Sequence, residues 1–187
     1  MKIIVLDTET TGLDILKHEI IQLGYIIVNL SEADNSIKIL EEREFLIAPQ
    51  RIESASPEAL RINGYTKDKW RGSVPFSKCV SQIRLAIESC DLMLGQNLNF
   101  DLRFIKQSFV NLNYLPPKFP NYIDTKRMAQ TLVERKVIKS TSMDKLCEHY
   151  KISSDGRTHT ALVDCHRTLK VWQRLVDEKI DFQFYTF

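Results

Sequence analysis

Lys2-Ile3-Ile4-Val5-Leu6-Asp7-Thr8-Glu9-Thr10-Thr11-Gly12 is the stretch that decides the fold. Its apolar run, rich in β-branched residues and bounded by a turn signal, reads as a buried strand over residues 2–7 with a turn at Thr11-Gly12. Side chains in a strand alternate faces, so Asp7 and Glu9 share one face and Thr8 takes the other. Two like charges that close repel, and each raises the pKa of its neighbour unless a cation lies between them. Hard oxygen ligands suit Mg²⁺ or Mn²⁺, which makes this strand end a candidate metal site.

Working outward, residues 19–30 are rich in Ile, Val and Tyr and predict a second, longer strand, while residues 37–47 predict a third. The polar segment Ser31 to Ser36 between them predicts an antiparallel hairpin. Ser56-Pro57-Glu58 places a Ser cap before Pro at the first helical position, and Asn63-Gly64 ends that short helix. Phe76, Val80, Ile83 and Ile87 form an amphipathic stripe, as do Leu98, Leu102, Ile105, Phe109 and Leu112. A short apolar strand over residues 91–95 lies between them, which puts Asp101 in the first turn of a helix that follows a strand. Tyr122-Ile123 predicts a brief fifth strand, followed by a helix over roughly residues 125–135. Ser142 caps a helix carrying Met143, Leu146 and Tyr150. A last helix carries Leu162, Cys165, Leu169, Trp172 and Val176. A hairpin followed by alternating helices and strands predicts an α/β sandwich on a mixed sheet.

Composition bounds the function classes. With 187 residues, 43% hydrophobic and 27% charged, the chain is of ordinary globular make-up, long enough to bury a core without staples, and disfavours disorder or a membrane span. Cys79, Cys90, Cys147 and Cys165 are widely spaced and form no C-x-x-C pair, which argues against disulfides or zinc. The first four apolar residues are too few for a signal peptide, and a reducing cytoplasm is the expected compartment. The net charge of +2 conceals a more basic remainder if four carboxylates gather at one place, which favours a polyanionic partner. Lys17, Arg103, Lys106, Lys126, Arg127 and Arg157 are candidate phosphate contacts, although for any single one of them solvated surface is the better explanation.

A metal held by Asp7 and Glu9 calls for further oxygen ligands and a group to activate water. Asp101, in Asn97-Leu98-Asn99-Phe100-Asp101, is one candidate. His159-Thr160-Ala161-Leu162-Val163-Asp164 supplies a histidine and an aspartate five residues apart. Five helical positions separate two side chains by about 140°, so one helix face cannot aim both inward and His159 belongs to the loop before the helix. From there its imidazole can reach the attacking water at neutral pH. Each of these residues alone has a bland reading: a strand-end aspartate capping a turn, a surface histidine, a solvated acid. His18, His149 and His166 stay in that class, Asp124 reads as a helix cap, and Cys165 reads as core.

Together, Asp7-x-Glu9, Asn97-x-x-Phe100-Asp101 and His159-x4-Asp164 resemble the three motifs of the DEDD 3′→5′ exonucleases. The closer match is the histidine-bearing branch (DEDDh) that includes the proofreading subunit of bacterial replicative DNA polymerase. The tyrosine branch would place Tyr where Thr160 stands. The likeness runs from Lys2 to about Leu175, and the segment from Ser56 to Gly64 also looks like a family segment, with Asn63 where histidine is usual.

The resemblance implies a ribonuclease H-like fold, a five-stranded mixed sheet flanked by helices, in a single exonuclease domain over residues 1–187. Its core would span about 2–176, with a short aromatic tail that folds back or docks on a partner. It implies two Mg²⁺ or Mn²⁺ ions held by Asp7, Glu9, Asp101 and Asp164, with His159 as general base. Thr10, Gly12, Leu13, Asn97 and Phe100 would meet the substrate, Leu13 against the terminal base. The expected substrate is the 3′ end of single-stranded or frayed DNA. Two alternatives stand beside it: an RNA-trimming exoribonuclease of the same family, and a non-catalytic module that binds a polymerase or nucleic acid. A DNA polymerase is a candidate partner, and monomer and homodimer both remain open.

Overall fold

A computed structural model describes residues 1–31, 33–153 and 160–187. Five strands form one sheet in the order β3-β2-β1-β4-β5: β1 (Lys2–Thr10), β2 (Ile20–Leu30), β3 (Ile37–Leu46), β4 (Leu92–Gly95) and β5 (Tyr122–Asp124). β2 runs antiparallel to both β1 and β3, while β4 runs parallel to β1 and β5 to β4. This is the five-stranded mixed sheet expected of the α/β, ribonuclease H-like class. The hairpin of β2 and β3 is also as expected.

β1 is three residues longer than its apolar run predicts. β2 offers backbone partners all the way from Asn29 to Ile20, so pairing carries β1 through Asp7, Glu9 and Thr10. The two acids therefore stand within hydrogen-bonded backbone rather than beyond its end, which fixes their direction.

Seven helices follow among the described residues: α1 (Pro57–Asn63), α2 (Val80–Glu88), α3 (Leu98–Asn111), α4 (Thr125–Met128), α5 (Gln130–Glu134), α6 (Met143–Tyr150) and α7 (Ala161–Asp177). Ser56 accepts from the Ala59 N–H and Gly64 ends α1 in the left-handed conformation, as the sequence predicts. The helix expected over 125–135 is two short ones that meet at Ala129.

Alternation along β1 divides the core into two layers. Ile4 and Leu6 pack with α2 and α3, whereas Ile3 and Val5 pack with α5, α6 and α7. Continuing the alternation puts Thr8 on the α3 side and Asp7 and Glu9 on the α7 side. On α7 the stripe ends on Leu175, fully buried, and not on Val176, which is exposed. Both fit the helical spacing after Trp172, and the contact with the sheet selects Leu175.

The aromatic tail folds back. Tyr185 exchanges backbone hydrogen bonds with Tyr122, both at 2.9 Å, and so covers the outer edge of β5. Phe187 meets Phe119 with ring centres 5.1 Å apart, and the Arg127 guanidinium lies 4.0 Å above the Tyr185 ring. An open strand edge is a template for unwanted pairing, and this arrangement closes one.

Candidate active site

The sheet brings Asp7 and Glu9 to one face of β1, and α7 delivers Asp164 to them from its first turn. One oxygen from each of the three carboxylates can be chosen so that all lie within 4.8 Å of one another. Position along α7 alone does not achieve this. Gly24, opposite Asp7 on β2, lets the backbone of Ala161 and Leu162 approach so closely that a Cβ there would lie 2.5 Å from the Leu162 nitrogen. Glu44 on β3 accepts from that same N–H at 3.2 Å, meeting one of the unpaired donors at the helix start.

Asp101 arrives from the other layer. It is buried, and Thr8 donates to its Oδ1 twice, from the backbone N–H at 2.9 Å and from the hydroxyl at 2.6 Å. The residue between the two β1 acids, which the alternation sends to the opposite face, is therefore what holds the third acid in place. The start of α3 is fixed in turn by Asp124, whose carboxylate accepts from Asn97 N–H at 2.9 Å and Lys126 N–H at 3.0 Å. The cap reading of Asp124 stands, and the bond to Asn97 adds a second duty.

The four acids sit without enough positive charge to balance them. Burial pushes the Asp7 carboxyl well up, and the charges of Asp101, Asp164 and Glu9 push it further, against the opposing pull of Arg167. Burial, with Asp164 and Asp101, raises Glu9 to about 8. Burial raises Asp101 to about 7 although both Thr8 hydrogen bonds work against the rise. Carboxylates so placed are stabilised by a hard divalent cation. Gln22 lies opposite Glu9 on β2, buried, with its Oε1 unpartnered. A buried carbonyl without a donor beside an acidic cluster fits a site that carries an ion and its water.

The remaining expected site residues are distributed as follows. Leu13 projects into solvent, 82% exposed, just past the β1 turn. Thr10 donates its hydroxyl to the Gly12 carbonyl at 2.7 Å, bracing that turn, and the His18 ring packs so closely on Gly12 that no side chain fits there. Asn97 is exposed in the left-handed conformation at the start of α3, and Phe100 is half-buried against Phe104. His159 lies outside the described residues, as does Arg157; α7 begins at Ala161 with Thr160 in the cap position, so His159 does precede the helix in sequence.

Three residues escape the sequence reading, and a fourth, Asn63, is read there only as the end of α1 and as standing where histidine is usual. Thr8 and Gln22 look like ordinary strand residues. Asn63 is buried and donates to the Thr10 carbonyl at 3.1 Å, tying α1 to the end of β1. Arg167 is buried and donates to Asp164 Oδ1 at 2.8 Å, to Asp144 and to Cys147 Sγ at 3.3 Å. Its place three residues after Asp164 on a helix is a spacing signal that could have been read.

Comparison with known proteins agrees with this geometry. The profile of the RNase_T exonuclease family matches residues 4–172. The DNA polymerase III subunit epsilon of Buchnera aphidicola subsp. Schizaphis graminum is 32% identical over 172 residues, covering 87% of this chain and 69% of that protein. The PolC-type DNA polymerase III of Thermotoga maritima is 29% identical over 174 residues, and there the chain spans only 12% of the relative's length. Among solved structures, the nuclease domain of 3′hExo, a DEDDh family member bound to rAMP, superposes with a TM-score of 0.77 at 16% identity, covering 99% of this chain and 96% of that one. Exonuclease I superposes with a TM-score of 0.79 at 18% identity, covering 95% and 42%. The chain belongs to the RNase_T exonuclease family, and its fold is shared with a DEDDh nuclease domain.

Proposed function

We propose that this domain removes nucleotides one at a time from the 3′ end of single-stranded or frayed DNA, releasing nucleoside 5′-monophosphates, in proofreading or repair. The observation that carries this reading is the convergence of Asp7, Glu9 and Asp164 from two elements with Asp101 locked beside them by Thr8. Four acids from β1, α3 and α7 have no common structural purpose, since gathering like charges costs stability. The naming of the relatives as DNA polymerase III subunits supports DNA as the substrate and a polymerase as a partner. Within the single domain proposed over residues 1–187, the catalytic apparatus occupies one end of β1.

In this reading Asp7, Glu9, Asp101 and Asp164 would hold two Mg²⁺ or Mn²⁺ ions, Asp7 contributing to both positions, Glu9 and Asp164 to the first and Asp101 to the second. Such ions, when bound, make water acidic enough to attack phosphorus and stabilise charge on the leaving 3′-oxygen. His159 would serve as the general base for the attacking water. Leu13, exposed and apolar, packs against the terminal base, while the turn braced by Thr10 and Gly12 presents backbone to the 3′-hydroxyl. Asn97 and Phe100, at the start of the helix that carries Asp101, contact the substrate. The chain works as a monomer or a homodimer, in the cytoplasm.

The test is digestion of matched 5′-labelled single strands of DNA and RNA with Mg²⁺, Mn²⁺ or a chelator. The expected result is a metal-dependent ladder of shortened 5′-labelled DNA that Asp7→Asn abolishes. A clear preference for RNA moves the substrate to RNA. Absence of any hydrolysis sensitive to Asp7→Asn overturns the enzyme reading in favour of a binding module.

A further inference from the structure

Arg167 is the one buried lysine or arginine among the described residues. Its guanidinium is held on three sides: Nη1 donates to Asp164 Oδ1 at 2.8 Å, Nη2 to Asp144 at the start of α6, and Nε to Cys147 Sγ at 3.3 Å on the same helix. The side chain of Asp144 is 68% exposed, against 13% for Asp164 and 6% for Arg167. A planar fork anchored to a neighbouring helix thus reaches back one turn of α7 to grip one oxygen of a carboxylate in the acidic cluster.

Two effects of that grip oppose one another. A fixed positive charge near a cation site weakens cation binding. Arg167, however, is already shared between Asp144 and Asp164, so the three groups together carry a net negative charge and the repulsion is small. Without the clamp, Asp164 would face Asp7 and Glu9 as a like charge with rotamer freedom, and turning away from them would be favourable. Groups that orient a metal ligand typically account for about 10–100-fold in metal affinity.

We propose that Arg167 is a positioning residue of the metal site, fixing the Asp164 carboxylate by its Oδ1 from a brace on α6 so that the cation finds the ligand already in place. The inference deepens the proposed function and rests on its assignment of Asp164 as a metal ligand. It adds that α6, which contributes no acid to the cluster, sets the affinity of the site.

The experiment measures Mn²⁺ binding to the substrate-free protein by calorimetry, alongside nuclease activity as a function of metal concentration. Arg167→Met is expected to weaken Mn²⁺ binding by about 10–100-fold. Its activity should fall at low metal and recover substantially at saturating metal, with Arg167→Lys intermediate. Asp144→Asn, a change at an exposed partner, removes the outer brace and is expected to loosen Mn²⁺ in the same direction by a smaller factor. If Arg167→Met does not fold, this variant decides the matter. Unchanged or tighter Mn²⁺ binding in a folded Arg167→Met, or unchanged binding in Asp144→Asn when that is the deciding variant, overturns the proposal. A wild-type protein that binds Mn²⁺ but cuts nothing, with binding loosened in Arg167→Met, removes the exonuclease reading and leaves the positioning role. An active wild type with undisturbed binding in Arg167→Met does the reverse.

Discussion

Gly24→Ala adds one methyl group on β2 and tests how the cluster is assembled. The new Cβ would lie 2.5 Å from the Leu162 nitrogen, 2.6 Å from the Ala161 carbonyl carbon and 2.9 Å from its oxygen. Ordinary contact between such atoms is no closer than about 3.4 Å, so the shortfall is roughly 1 Å. The obstructing atoms are backbone, and no side chain can rotate out of the way. Gly24 is not among the positive-φ glycines, so an alanine there suffers no backbone strain and the contact acts alone. Either α7 or β2 must give, and Asp164 sits two residues beyond Leu162 in the same first turn. A displacement of about 1 Å in a reacting constellation costs on the order of 10²-fold in rate, and overpacking of this kind costs about 1–3 kcal/mol of stability. The assay is kcat/KM on a 5′-labelled oligonucleotide together with Tm. Gly72→Ala is the control, because a Cβ there meets nothing within 4 Å. Wild-type kcat/KM and Tm in Gly24→Ala would refute the claim that this close approach positions Asp164.

Asp7→Asn removes a group whose ionised form the fold disfavours; activity should vanish while the metal-free Tm rises by ~2–4 °C, the shift that about 1 kcal/mol produces in a chain this long. A fall in Tm would show that the acids do not strain the fold. Glu9 and Asp101, raised to about 8 and about 7 from ordinary values of 4.5 and 3.8, hold protons in the folded state that the unfolded chain releases. Their contribution to metal-free stability therefore declines as pH rises from about 5 to 8, and Mg²⁺ should flatten the decline by taking the place of the protons. Melting curves in chelator and in Mg²⁺ across that range check this, and a metal-free Tm that climbs to pH 8 counts against it. Deleting residues 182–187 uncovers Tyr122 and the β5 edge, so the truncated protein should lose several degrees of Tm and self-associate at high concentration, read by light scattering. Unchanged Tm and monodispersity would show that the tail contributes nothing.

Much of the fold is legible in local pattern because strands and helices impose periods that a sequence must respect. The β2–β3 hairpin, the Ser56 and Ser142 caps and the α3 stripe all follow from residues close in sequence. The choice of Leu175 over Val176 does not, since both satisfy the helical period and only the layer beneath α7 distinguishes them. The length of β1 was equally hidden, because backbone pairing with β2 extends it through residues whose side chains signal nothing. Thr8 and Gln22 carry no motif of their own, and the family segment around Asn63 does not reveal its partner. Each takes its part at the site from a neighbour 93, 13 or 53 positions away: Asp101, Glu9 and the Thr10 carbonyl.

The sequence by itself made the acids candidates, since Asp7-x-Glu9 alternates onto one face of a strand and Asp101 and Asp164 fall in first turns of helices, and the resemblance to the exonuclease motifs set these four apart from other acids. Alternation and helical period are local geometry, and local geometry can be read from spacing. Only the tertiary structure decided how those acids meet. Gly24 admits the α7 backbone, Thr8 fastens Asp101 from the opposite layer, and Asp144 and Cys147 on α6 brace the Arg167 that clamps Asp164. The Arg167–Asp164 pair itself is local to α7, but the brace on α6, the Gly24 approach and the Thr8–Asp101 bonds depend on distances between separate elements, which packing sets and no local pattern encodes.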